Sequence, residues 1–141
     1  PDHEEFCRER EIAQFRAVVS HDPNNPLALN ALADRLITAG ELEEGVALAE
    51  RAVALDPDNG MILDTYGWGL HKQGKHRMAL AVLRRSAGAL PAHPIVLYNL
   101  GAACRADGDL SSARKHLEAA LRISSDFPEA ESARRLLHET D

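Results

Sequence analysis

The chain has 141 residues, of which 45% are hydrophobic and 27% charged, and its formal net charge is −6. This balance is typical of one globular domain and excludes wholesale disorder. The negative charge argues against general nucleic-acid binding, which needs a basic face to displace counterions. No apolar run approaches the roughly 18 residues that a membrane-spanning helix requires.

Alanine and leucine dominate the composition and together make up almost a third of the chain. Both are strong helix formers, so an all-α fold is favoured over an all-β one. The helices are predicted in a single domain, 1–141, in this order: a leading helix at 4–20, three helical pairs at 26–59, 60–93 and 94–127, and a capping helix at 128–139.

The three helical pairs repeat with a period of about 34 residues, a length that is typical of stacked helical repeats. Gly40, Gly74 and Gly108 keep this spacing. The same spacing relates further sets of residues: Pro23, Pro57 and Pro91; Leu29, Leu63 and Leu97; Leu36, Leu70 and Cys104. Such a repeat indicates supersecondary units that stack and bury one continuous core.

Each pair has a first helix with one apolar stripe, as at Leu63, Tyr66, Gly67 and Leu70. Gly40, Gly74 and Gly108 are predicted to end these helices, because glycine takes the left-handed C-terminal conformation without a clash. The second helices are predicted at 42–54, 76–89 and 110–122, and Asp109 is predicted to cap the last of them.

Small residues recur where the two helices of a pair should approach each other. Ala33, Gly67 and Gly101 occupy one repeat position of the first helices, and Gly45, Ala79 and Ala113 one of the second. Glycine within a helix costs about 1 kcal/mol relative to alanine. We therefore expect close packing at these positions to offset that cost.

The pattern resembles the tetratricopeptide repeat (TPR), whose signature is W-x2-L-G-x2-Y, then A-x3-F, then P. The second pair reads Leu63-x2-Tyr66-Gly67-x2-Leu70, then Ala79-x3-Leu83, then Pro91. The resemblance implies a right-handed α-solenoid of about three helix-turn-helix units with one extra helix at each end. Residues 4–20 match the second helix of a preceding unit. The segment from Asp64 to Trp68 is similar to a DxxGW segment in C-terminal repeats of bacterial TPR proteins.

The sequence contains no catalytic, cofactor-binding or metal-binding motif that we recognise, so we do not expect an enzyme. His3 and Cys7 lie four residues apart, and His71 and His76 flank a turn. Neither pair has a third ligand at a useful spacing, which argues against a metal site. The other cysteine, Cys104, is expected to be buried within a helix.

The first helices of TPR units line a concave groove, and this resemblance implies where a partner would bind. The candidate partner-binding residues are Asn30, Asp34, Asp64, Trp68, His71, Tyr98, Asn99 and Arg105. Tyr98 is expected to lie off the packing stripe and open to the groove. Trp68 and Tyr98 would supply apolar contact, while Asn30 and Asn99 would orient a peptide backbone.

Chaperone-binding TPR domains hold a C-terminal carboxylate with lysine, arginine and asparagine side chains. The matching positions here hold Asn30, Asp34, Trp68, Tyr98 and Ala102. One asparagine remains and no cation does, and Asp34 would repel a carboxylate. We therefore expect this groove not to bind such a tail.

The leading interpretation is a non-catalytic scaffold that binds a peptide or a helix of another protein. Two alternatives stay open: an accessory segment of a larger enzyme or of an exopolysaccharide- or protein-export system, and a homodimerisation module that pairs through helix 4–20. The chain begins with Pro1, from which we expect a piece of a longer protein. It carries no targeting signal, so cytoplasmic and periplasmic locations both stay open.

Overall fold

A computed structural model describes residues 2–140, so the predicted domain ends, Pro1 and Asp141, lie outside the described residues. Over this range the chain forms eight α-helices and no strand. The helices are α1 (His3–His21), α2 (Pro26–Thr38), α3 (Leu42–Leu55), α4 (Gly60–Lys72), α5 (His76–Ala89), α6 (Pro94–Ala106), α7 (Leu110–Ile123) and α8 (Ala130–Thr140). None of these helices is long and apolar enough to cross a membrane.

The helices stack in chain order, and each packs against the next. In addition α2 contacts α4, and α4 contacts α6. The first helices of the three pairs therefore form one layer of an all-α helical solenoid, as the repeat period predicts. The core lies between this layer and α3, α5 and α7, around fully buried leucines such as Leu29, Leu83 and Leu117.

The turns inside the pairs have the predicted geometry. Gly40, Gly74 and Gly108 have positive φ angles of 89°, 82° and 87°. Residues that carry a Cβ adopt such angles only at an energetic cost. Asp109 caps α7, since its Oδ1 accepts a hydrogen bond from the backbone N–H of Ser112 at 3.1 Å. Both local predictions are confirmed.

Two asparagine caps were not predicted from the sequence. The Oδ1 of Asn25 accepts hydrogen bonds from the backbone N–H groups of Leu27 and Ala28, at 3.0 and 3.2 Å. One period later, Asn59 does the same for α4, at 3.1 and 3.2 Å. These caps satisfy N-terminal backbone N–H groups of α2 and α4, two of the three helices that form the layer of first helices.

We expect Asn59→Ala to lower the free energy of unfolding by about 1 kcal/mol, the usual cost of losing a helix cap. Chemical denaturation of the variant measures this change. Asn24→Ala is the matched control, because Asn24 is exposed in the turn before α2. Equal losses for the two variants would show that the cap of α4 contributes nothing.

Candidate functional site

A cavity of about 500 Å³ opens on the layer formed by α2, α4 and α6. Six of the eight predicted partner-binding residues line it: Asn30, Asp34, Asp64, Trp68, Tyr98 and Asn99. We call this cavity the concave groove. Its walls come from three separate helical pairs, so the stacking of the repeats, and not any single element, creates its shape.

The other two predicted residues, His71 and Arg105, are not in the lining of the groove. The His71 ring packs on the Trp68 ring, with centroids 4.9 Å apart, and its Nδ1 lies 3.1 Å from Nδ1 of His76. Burial, together with the charges of His76 and Lys72, lowers the pKa of His71 to about 4. Arg105 pairs with Glu139 on α8 at 3.2 Å.

A buried polar pair joins two repeats at the floor of the groove. The Nδ2 group of Asn99 donates to both carboxylate oxygens of Asp64, each at 3.0 Å. Both side chains are only 6% exposed. Burial raises the pKa of Asp64 to about 6 against the lowering effect of the Asn99 hydrogen bond, and the negative charges of Asp34 and Glu129 raise it further.

Asp34, at the α2 side of the groove, pairs with its neighbour Arg35. Arg35 donates to Asp34 at 2.9 Å and also to Glu11 on α1 at 2.9 Å. Arg35, the one cationic side chain that lines the groove, is therefore paired with two carboxylates. Burial raises the pKa of Asp34 in spite of its attraction to Arg35.

Aromatic rings form a row beside these polar groups. Trp68 lies between His71 and Tyr98, at centroid distances of 4.9 and 6.1 Å, and Tyr98 meets the edge of Phe127 at 6.5 Å. The ammonium group of Lys72 sits 5.0 Å from the centre of the Trp68 ring, which is a cation–π distance. Trp68 is partly exposed and presents apolar surface to the groove.

The expectation that Tyr98 lies open to the groove is wrong. Tyr98 lines the groove but is only 8% exposed. Its ring packs with Leu97, Phe127 and Ala130 in the last part of the core. Burial raises the pKa of its hydroxyl, while a hydrogen bond with Ser132 lowers it. Phe127 covers Tyr98 from the connection between α7 and α8, which carries no residue of the repeat signature, and this explains the error.

Glu129 is one of the groove-lining residues that were not predicted from the sequence. It lines the groove just before α8 begins. Its position is one repeat period after Ile95, which is itself one period after Met61, and both of these residues also line the groove. Extending the repeat register by one more unit would therefore have found it.

In the part of the chain that the structure describes, no group of three or more His, Cys, Asp or Glu side chains could hold a metal ion. His3 Nε2 lies 3.7 Å from the sulfur of Cys7 on the exposed surface of α1.

Cys104 is buried in α6, as predicted, and burial raises the pKa of its thiol.

Solved structures with the same fold include MamA 41-end from Desulfovibrio magneticus RS-1. It superposes with a TM-score of 0.77 at 23% identity and covers 94% of this chain and 73% of its own. The first TPR domain of human RPAP3 gives a TM-score of 0.73 at 19% identity, over 84% of this chain and 93% of its own. The same domain bound to the HSP90 peptide SRMEEVD gives 0.71 at 18% identity, over 81% and 90%. At these identities the likeness shows the fold alone.

Sequence comparison adds a bacterial relative. A TPR repeat-containing protein of Pseudomonas aeruginosa, PA4667, is 37% identical over 88 residues, which are 60% of this chain and 14% of that protein. This chain thus spans only a small part of the relative that it matches. The family model for the tetratricopeptide repeat matches residues 12–60 and 67–136. With the repeat period, the helical pairs and this match together, the chain belongs to the tetratricopeptide repeat family.

Proposed function

We propose that this chain is a protein–protein interaction module whose concave groove binds an extended peptide or a helix of a partner protein. The observation that carries the proposal is the groove itself, a cavity of about 500 Å³ walled by α2, α4 and α6. A cavity of this volume that combines apolar surface with a few convergent polar groups is typical of ligand-binding sites.

The lining offers both kinds of contact that a peptide needs. Met61 is 42% exposed, and Trp68 and Ile95 are partly exposed beside it, so apolar side chains of a partner could bury surface there. Asn30, on the facing helix α2, presents an amide that can pair with a peptide backbone. Tyr98 would contribute as a rigid, buried wall and not as a free anchor.

A partner with an acidic C-terminal tail does not fit this surface. The first TPR domain of RPAP3 holds the HSP90 peptide SRMEEVD in its solved structure. In the chain described here, Asp34, Asp64 and Glu129 line the groove. Their charges would repel a carboxylate, so we keep the prediction that such tails do not bind.

The other hypotheses have less support from the structure. The exposed apolar side chains of α1, Phe6 and Val18, lie near opposite ends of that helix. Homodimerisation through this helix therefore stays a prediction. Membership of a larger enzyme or of an export system depends on sequence outside this chain, and it stays a prediction.

The test is a selection of random displayed peptides on this chain, followed by affinity measurement on a variant with a filled groove. Ala31 lines the groove from α2. We expect Ala31→Phe to weaken the selected peptides by about tenfold or more, because the new ring occupies the space of the peptide. Isothermal titration calorimetry gives the affinities, and circular dichroism verifies that the variant is folded.

Ala47→Phe is the matched control. Ala47 is exposed on α3, away from the groove, and the substitution adds the same ring. Peptides that bind both variants as well as the original chain would place the binding face outside the groove. A selection that yields no binding peptide would contradict the peptide-binding function itself.

A further inference from the structure

The side chains that line the concave groove include more carboxylates than cations. Carboxylates reach it from three elements: Asp34 on α2, Asp64 on α4 and Glu129 before α8. The one cationic side chain in its lining, Arg35, is already paired with Asp34 and Glu11. The lining of the groove therefore carries a net negative charge.

Asp64 is the least accessible of these carboxylates. It is 6% exposed, and its hydrogen-bond partner is the neutral amide of Asn99. Within residues 2–140, no lysine, arginine or histidine forms an ion pair with it. A buried carboxylate without a cation is unfavourable, and proteins retain such groups mainly at functional sites.

Two further acceptors in the groove are buried and have no partner. The Oδ1 of Asn30 and the Oε2 of Glu129 are shielded from solvent, yet neither accepts a hydrogen bond. Buried polar groups in folded proteins almost always have a partner. Both atoms belong to residues that line the same groove as Asp64. The Asn30 atom is independent of the charge count, and both atoms could accept a hydrogen bond from a donor on the partner.

A primary ammonium or a guanidinium group meets these requirements. Such groups carry three or five N–H donors and no acceptor. The apolar surface of Met61, Trp68 and Ile95 lines the same groove. It suits the aliphatic stem that connects the charged group of lysine or arginine to a peptide backbone.

We propose that the partner segment in the concave groove carries a lysine or arginine side chain whose charged group lies among Asp64, Glu129 and Asn30. This inference rests on the proposed function, because it names the chemistry of the peptide that the groove takes. It predicts that the groove binds a basic peptide, whose charge is opposite to that of an acidic C-terminal tail.

The experiment uses the peptides selected on this chain. We expect the groove-dependent peptides, those weakened by Ala31→Phe, to share a lysine or arginine at one position. Replacing that residue by methionine, which keeps an unbranched stem, should weaken binding by about thirtyfold, the effect of removing one member of a buried charge pair. Asp64→Asn and Glu129→Gln should each weaken the basic peptide and lose much less affinity for the methionine peptide.

Glu43→Gln is the control on the protein side. Glu43 is exposed on α3 and does not line the groove, so affinity for the basic peptide should be unchanged. Groove-dependent peptides that lack a shared cation, or that bind Asp64→Asn and Glu129→Gln at full affinity, would overturn this inference and leave the proposed function standing. If no selected peptide depends on the groove, both this inference and the proposed function are wrong.

Discussion

Gly101→Leu is expected to destabilise the fold by about 3 kcal/mol, the upper end of the usual cost of overpacking. A Cβ at this position of α6 would lie 2.8 Å from Cγ of Leu117 and 3.3 Å from the carbonyl oxygen of Ala113. Leu117 is fully buried and the carbonyl belongs to the backbone of α7. Neither can yield easily, so α6 and α7 must move apart. Thermal unfolding should show a melting temperature lower by about 10 °C.

Gly88→Leu is the control for the same substitution in open space. Gly88 lies in α5, and a Cβ built there meets nothing within 4 Å. This variant should be as stable as the original chain or slightly more stable, because leucine has the higher helix propensity. If both variants lower the melting temperature equally, the close contact between α6 and α7 does not limit packing.

The contact at Gly101 illustrates how much of the fold the sequence could predict. The recurrence of small residues at the repeat period located it, because every unit must solve the same packing problem. At Gly67, one period earlier, a Cβ would lie 2.7 Å from Leu83 on α5. The same periodicity predicted the second helices to within one residue at each end, since a glycine turn precedes all three and a proline follows the first two.

The candidate site was less predictable, because its decisive contacts do not follow the period. Asp64 and Asn99 were both assigned to the groove, but they occupy different repeat positions, and their pairing depends on how α4 and α6 are rotated. Phe127, which buries Tyr98, comes from the connection before α8, where the repeat signature ends. Periodicity gives the face on which a residue lies, whereas contacts across that face require the stacked structure.

Asp64→Asn is expected to raise the free energy of unfolding at pH 7 by about 1 to 3 kcal/mol, since a pKa rise of this size corresponds to at most roughly 3 kcal/mol of penalty on the charged form. Burial and the neighbouring carboxylates raise the pKa of Asp64 from its ordinary 3.8 to about 6. Asparagine has nearly the same shape and carries no charge. It therefore removes this penalty, while its amide oxygen keeps one of the two hydrogen bonds that Asp64 accepts from Asn99.

The gain should depend on pH with a definite sign. Because the pKa of Asp64 is higher in the folded than in the unfolded chain, the folded state takes up the proton more readily, and the contribution of Asp64 to stability is lost as the pH rises from about 4 to about 6. Urea denaturation of both proteins should therefore give equal stabilities near pH 4 and a growing advantage of Asp64→Asn above it. Asp58→Asn, in the exposed turn before α4, is the matched control. An advantage of Asp64→Asn that stays constant across this range would mean that the charge of Asp64 does not cause the difference in stability. A more stable variant that has lost affinity for a basic peptide would instead show that this chain keeps a destabilising carboxylate for binding.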